Sequence, residues 1–134
     1  MTLAFLGQID SESILGISKA ADEVHCHNFQ FILDRFEFWR RTQVLCMTPS
    51  DPGDGIFDLV DRLLGTLRQN GFSPDKRPYR PHLTLARRVK LRPPVTTTEI
   101  TPVHWAVDAF CLVESRQAWG GSQYFIHKTW PLEP

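Results

Sequence analysis

Neither sign of charge is in excess in this chain: 15 Lys and Arg stand against 15 Asp and Glu in 134 residues. No global field therefore draws it toward nucleic acid or a membrane surface, and any phosphate has to be held by a local site. Cysteine is scarce. Cys26, Cys46 and Cys111 are odd in number, widely spaced and form no CxxC, which argues against a disulfide framework and for free thiols in a reducing cytoplasm. No apolar run approaches the roughly 18 residues of a membrane helix, so no membrane partner is expected, and no secretory leader is visible. Phosphate loops, G-x-G-x-x-G turns and nucleophile elbows are missing as well. His25-Cys26-His27 looks like part of a metal site, but no second cluster stands at zinc spacing. It reads better as a frayed helix end. No metal and no cofactor are expected.

What is present fits one domain over residues 1–134, with 42% hydrophobic residues to fill a core. Thr2 to Gly7 is an apolar run ending in glycine, read as a buried strand. A helix is expected from about Ser11, its cap, to His25. Phe29 to Trp39 alternates with a phase shift, which suits a strand bulged near Asp34; with Gln43 to Met47 it makes a hairpin. A second helix is expected from about Ile56 to Asn70, with Phe57, Val60, Leu63, Leu64 and Leu67 as its apolar stripe and Gly71 just beyond its end. Residues 73–81 read as extended, His82 to Val89 as a strand and 90–102 as a loop. His104 to Glu114 and Tyr124 to Trp130 read as strands joined through Gly120-Gly121. Helices mixed with antiparallel pairs place the chain in the α+β class.

One segment occurs twice. Residues 82–87 read His82-Leu83-Thr84-Leu85-Ala86-Arg87, and residues 1–6 read Met1-Thr2-Leu3-Ala4-Phe5-Leu6. Aligning the two Thr-Leu-Ala runs puts Met1 opposite Leu83, and the partner of His82 at the position before Met1. In a strand, residues two apart share a face, so His82 and Thr84 point together while Leu83 and Leu85 point into a core. An imidazole beside a hydroxyl suits a phosphate: the hydroxyl donates to a non-bridging oxygen, and the imidazole moves a proton near neutral pH. Arg80, two residues before His82, can share that face. Arg87, five residues after it, reaches the face only if the strand bends or bulges. A lone His-x-Thr is often structural, so the repeat is what raises it above chance. His104 reads as structural and His127 as solvated.

Thr2-Leu3-Ala4-Phe5-Leu6-Gly7, Arg80-Pro81-His82-Leu83-Thr84-Leu85-Ala86-Arg87 and Val113-Glu114-Ser115-Arg116 resemble the bacterial RNA 2',3'-cyclic phosphodiesterases. These make up the 2'-5' RNA ligase family of the 2H phosphoesterase superfamily. Leu33-Asp34-Arg35-Phe36-Glu37-Phe38-Trp39 and Trp130-Pro131-Leu132 are also similar. The resemblance implies a two-lobed fold of antiparallel sheets flanked by helices, with one His-x-Thr strand from each lobe lining a cleft. It implies metal-free opening of a 2',3'-cyclic phosphate, on RNA ends or small cyclic nucleotides, to a 2'-phosphate. His82 would be the general base, Thr2 and Thr84 would hold phosphate oxygens, and Arg87 would belong to the site. The family's first histidine would stand just before Met1, preceded by a strand and helix. Without them the first lobe is incomplete, activity is impaired, and self-association through that lobe is expected. The alternative is an inactive module that binds RNA ends or nucleotides.

Overall fold

The structure, a computed structural model, describes residues 1–90 and 100–134. Most of the loop expected at 90–102 lies outside the described residues. In chain order the elements are α1 (Ser11–Asp22), β1 (Phe29–Leu33), β2 (Arg35–Trp39), β3 (Val44–Thr48), α2 (Gly55–Gln69), β4 (Leu83–Ala86), β5 (Val103–Val107), β6 (Ala109–Ala118) and β7 (Gly121–Pro131).

Asp10, rather than Ser11, starts α1. Its carboxylate accepts the Ser13 N–H at 2.7 Å from an extended backbone, as an N-cap must. The helix ends at Asp22, short of His25, and buries Ile17, Ala20 and Ala21. α2 follows its apolar periodicity. Ile56, Leu59, Val60, Leu63 and Leu67 are buried, whereas Phe57 is partly exposed and meets the Tyr79 ring edge-on. Its end is set by Gly71 at φ +83°. The Gly71 N–H donates to the Arg68 carbonyl and the Phe72 N–H to the Leu67 carbonyl. That paired stop needs a left-handed residue, which glycine adopts at least cost.

The strands form three antiparallel groups: β1 with β5, β2–β3–β4, and β6 with β7. Two expected strands each prove to be two. Phe29 to Trp39 breaks at Asp34, which accepts the Ser50 N–H at 2.7 Å and turns the chain from one sheet into another. The hairpin expected over 29–47 is therefore only β2–β3. His104 to Glu114 breaks at Asp108, whose carbonyl accepts the Leu132 N–H at 2.7 Å. β5 then pairs with β1, and β6 with β7. The β6–β7 turn is Trp119-Gly120, with Ala118 opposite Gly121. Thr2 to Gly7 is not a strand. No described strand edge pairs with it, and a strand's backbone bonds have to come from a neighbour. Its side chains still anchor it.

Those side chains reach one core, and Met1 ahead of them reaches a second. Helices α1 and α2 pack with Phe110, Trp130 and Leu132 in the first, which Leu3, Ala4 and Leu6 join. Phe31, Leu33 and Met47 form the second, joined by Met1, Phe36, Leu83 and Trp105. Phe29 and Val107 touch both. Leu33 is fully buried, a contribution of about 1.5–3 kcal/mol from removing one such side chain from water.

Candidate functional site

The β2–β3–β4 sheet has one apolar and one mixed face, and its register says which residues share each. Glu37 and Thr84 both pair with Cys46, while Phe36 and Leu83 both pair with Met47. Directly paired residues lie on the same side. One face thus carries Phe36, Met47 and Leu83 into the second core. The other carries Glu37, Trp39, Cys46, Thr48 and Thr84, and His82, two residues before Thr84, belongs to it. The His-x-Thr pair therefore stands on the non-core face, as its spacing predicts, but only Leu83 joins a core; Leu85, expected there too, is exposed. His82 itself lies just before β4, which is shorter than the expected 82–89.

Arg87 is brought back to this face by an irregularity. Thr84 pairs with Cys46, and the next pair is Ala86 with Leu45. Two steps along β4 match one step along β3, so Leu85 is an extra, bulged residue. The bulge reverses the alternation once. Arg87 follows the last residue of β4, and the alternation carried one step past Ala86 puts it on the side of Thr84 and His82. Arg88, two residues past the strand, takes φ +57°, and the Val89 N–H then donates to the Gln43 carbonyl.

His82 is half-buried. Its Nδ1 lies 2.7 Å from the Arg80 carbonyl oxygen. A carbonyl only accepts, so Nδ1 carries a proton, and in the neutral ring the lone pair is on Nε2. The ring packs against Trp39, centroids 4.6 Å apart, and the Arg80 guanidinium lies over the same indole at 4.9 Å. Beneath them is Glu37. Its Oε2 accepts the Trp39 Nε1–H at 2.8 Å and Arg80 Nη2 at 3.0 Å; its Oε1 accepts the buried Thr48 hydroxyl at 3.1 Å. Burial opposes ionisation of Glu37, but the bonds from Trp39 and Thr48 and the charges of Arg80 and Arg35 outweigh it and hold its pKa below the usual value. Cys46, buried and next to that carboxylate, is pushed up to about 11. It is an inert thiol there.

Thr2 is exposed and, among the described residues, makes no side-chain hydrogen bond to His82, Thr84 or Arg87. It is tied to them indirectly. Met1 shares the second core with Leu83 and receives the Tyr79 hydroxyl at Sδ, 3.3 Å away. Of the other histidines, His127 meets Glu114 at 2.9 Å, and His25 meets Glu133 at 3.1 Å. Neither belongs to the His82 face. Among the described residues no three ligating side chains gather as they would around a metal ion. Glu37, Trp39 and Thr48 were not singled out as site residues from the sequence. A glutamate set among the aromatics of Phe36-Glu37-Phe38-Trp39, in phase with Trp39, is the signal that points to them.

Residues 1–119 match the family model described as the 2'-5' RNA ligase superfamily. The chain is 30% identical over 136 residues to RNA 2',3'-cyclic phosphodiesterase of Escherichia coli K12, covering 98% of this chain and 74% of that protein. It is 32% identical over 93 residues to the Bacillus subtilis 168 protein of the same name, covering 66% of this chain and half of the relative. A crystal structure of a phosphoesterase superposes with a TM-score of 0.86 at 29% identity, covering 99% of this chain and 76% of that one. E. coli LigT complexed with 3'-AMP gives 0.83 at 30%, covering 98% and 75%. Two helices with antiparallel sheets are thus the α+β 2H phosphoesterase fold, and the chain belongs to the 2'-5' RNA ligase superfamily.

Proposed function

We propose that this chain opens 2',3'-cyclic phosphates at RNA ends, or in small cyclic nucleotides, to 2'-phosphates. The observation that carries the reading is the shared face of His82, Thr84 and, through the bulge at Leu85, Arg87. Two relatives bear the name of this activity. Water attacks phosphorus, and His82 Nε2 takes its proton. The P–O3' bond breaks, and the departing 3' oxygen needs a proton from an acid. Thr84, Thr2 and Arg87 hold the non-bridging oxygens.

On the alignment of residues 1–6 with 82–87, the acid falls at the position before Met1. A preparation carrying a histidine there is expected to turn over about 10²–10⁴-fold faster than residues 1–134. The direct test is release of 2'-phosphate from a 2',3'-cyclic nucleotide, with and without His82→Ala. Activity that survives the substitution unchanged refutes the mechanism; tight binding without turnover supports an RNA-end-binding module instead. Self-association belongs to the same proposal. Phe5 and Leu15 are 69% and 63% exposed, and serine at both is expected to abolish any dimer seen by sedimentation. A wild-type chain monomeric at every concentration rejects it.

A further inference from the structure

We propose that Glu37 is a positioning residue for His82: its carboxylate holds Trp39 and Arg80 in the pose that orients the imidazole. The proposal rests on the reading of His82 as the base.

A catalytic imidazole has two faults to avoid, the wrong tautomer and the wrong ring rotation. The Arg80 carbonyl fixes the tautomer at 2.7 Å from Nδ1, and the Trp39 ring, 4.6 Å away, limits the rotation. Neither partner is rigid by itself. Arg80 is exposed and lies in an irregular stretch ahead of β4, and Trp39 is the last residue of β2. Both are tied to Oε2 of Glu37, at 3.0 and 2.8 Å. Glu37 in turn sits mid-strand in β2 and receives the hydroxyl of Thr48, buried on β3. Rigidity thus passes from the sheet interior through one carboxylate to the two groups touching His82.

The charges suit this role. A lone carboxylate near a phosphate site would repel the substrate. Arg80 pairs with Glu37 directly, and Arg35 lowers its pKa from the same strand. Cys46, packed on this face beside Glu37, stays a neutral thiol. Glu37 touches no reacting atom in this arrangement; it acts through its two tethers.

The test uses the whole chain, with Glu37→Ala, Glu37→Gln and Trp39→Phe. The first readout is the nitrogen-15 spectrum of the His82 ring in the free protein. Wild type is expected to show one neutral tautomer, protonated at Nδ1. Glu37→Ala is expected to show a mixture. Glu37→Gln, which keeps an acceptor for Trp39, is expected to restore most of the wild-type pattern. Trp39→Phe keeps a ring but removes the tethered N–H, and is expected to shift the spectrum in the same direction as Glu37→Ala. It decides the matter if Glu37→Ala does not fold. The second readout is turnover of a 2',3'-cyclic nucleotide: kcat is expected to fall about tenfold or more in Glu37→Ala, with KM nearly unchanged. An unaltered His82 spectrum in the folded variants overturns the proposal. A shifted spectrum in a protein that hydrolyses nothing keeps the positioning role and rejects the phosphodiesterase reading.

Discussion

Arg87 offers the sharpest test of the site because its placement depends on one bulged residue. Without the extra residue at Leu85, strand alternation would put the side chain five positions after His82 on the opposite, core-facing side. With it, the alternation carried one residue past β4 puts Arg87 on the face of His82 and Thr84, and at Arg88 the backbone turns away at φ +57°. The two adjacent arginines carry the same charge but are aimed differently. A guanidinium bonded to a phosphate contributes about 1.5–3 kcal/mol, so Arg87→Ala should lower kcat/KM for a 2',3'-cyclic nucleotide by roughly 10- to 150-fold. Arg87→Lys keeps the charge and loses the fork, and should recover only part. Arg88→Ala removes charge without removing a phosphate contact, and its effect should stay within about threefold and fade as salt is raised. Steady-state kinetics on the three variants at two ionic strengths decide it. Equal losses in Arg87→Ala and Arg88→Ala would show that the arginines act through a diffuse field, and the argument from register would be wrong.

Two further outcomes follow from geometry already given. Gly71→Ala places a Cβ on a residue at φ +83° and should cost about 1 kcal/mol by urea unfolding; a change below about 0.3 kcal/mol would mean that the helix stop tolerates the strain. Glu37 has its pKa lowered in the fold, so the stability it contributes is present above its unfolded value of 4.5 and is lost as pH falls through the lower folded value. Melting temperatures of wild type and Glu37→Gln should therefore differ most near neutrality and converge in acid; a gap that widens below pH 4.5 contradicts the assignment of Glu37 as an ionised acceptor.

Features decided within a few residues were legible in the sequence. The α2 stripe and Gly71 are local, and so is the shared face of His82 and Thr84. What stayed hidden depends on strand partners distant in the chain. Asp34 read as a bulge within one strand and Asp108 as an interior strand position, yet each marks the point where one run of residues leaves a sheet for another. The bulge at Leu85 exists only relative to β3, so the facing of Arg87 could be posed as a condition but not decided. Thr2 to Gly7 has the composition of a strand, and composition cannot supply the neighbour that a strand requires. Glu37 escaped because its three donors come from Trp39, Thr48 and Arg80, spread over β2, β3 and the stretch before β4.

The repeat gains a physical meaning from the second core. Aligning residues 1–6 on 82–87 equates Met1 with Leu83, and these two side chains do pack into one cluster, around Phe31, Leu33 and Met47. The Tyr79 hydroxyl, three residues ahead of His82, closes on the Met1 sulfur, and burial of that phenol pushes its pKa up to about 12, so it remains a donor through the neutral range. Equivalent positions of the two copies thus meet inside one core. The residues that follow them differ: Thr84 is half-buried on β4, whereas Thr2 is exposed in a stretch that is not a strand. The equivalence of Met1 and Leu83 in the alignment is thus matched by their packing against the same core residues.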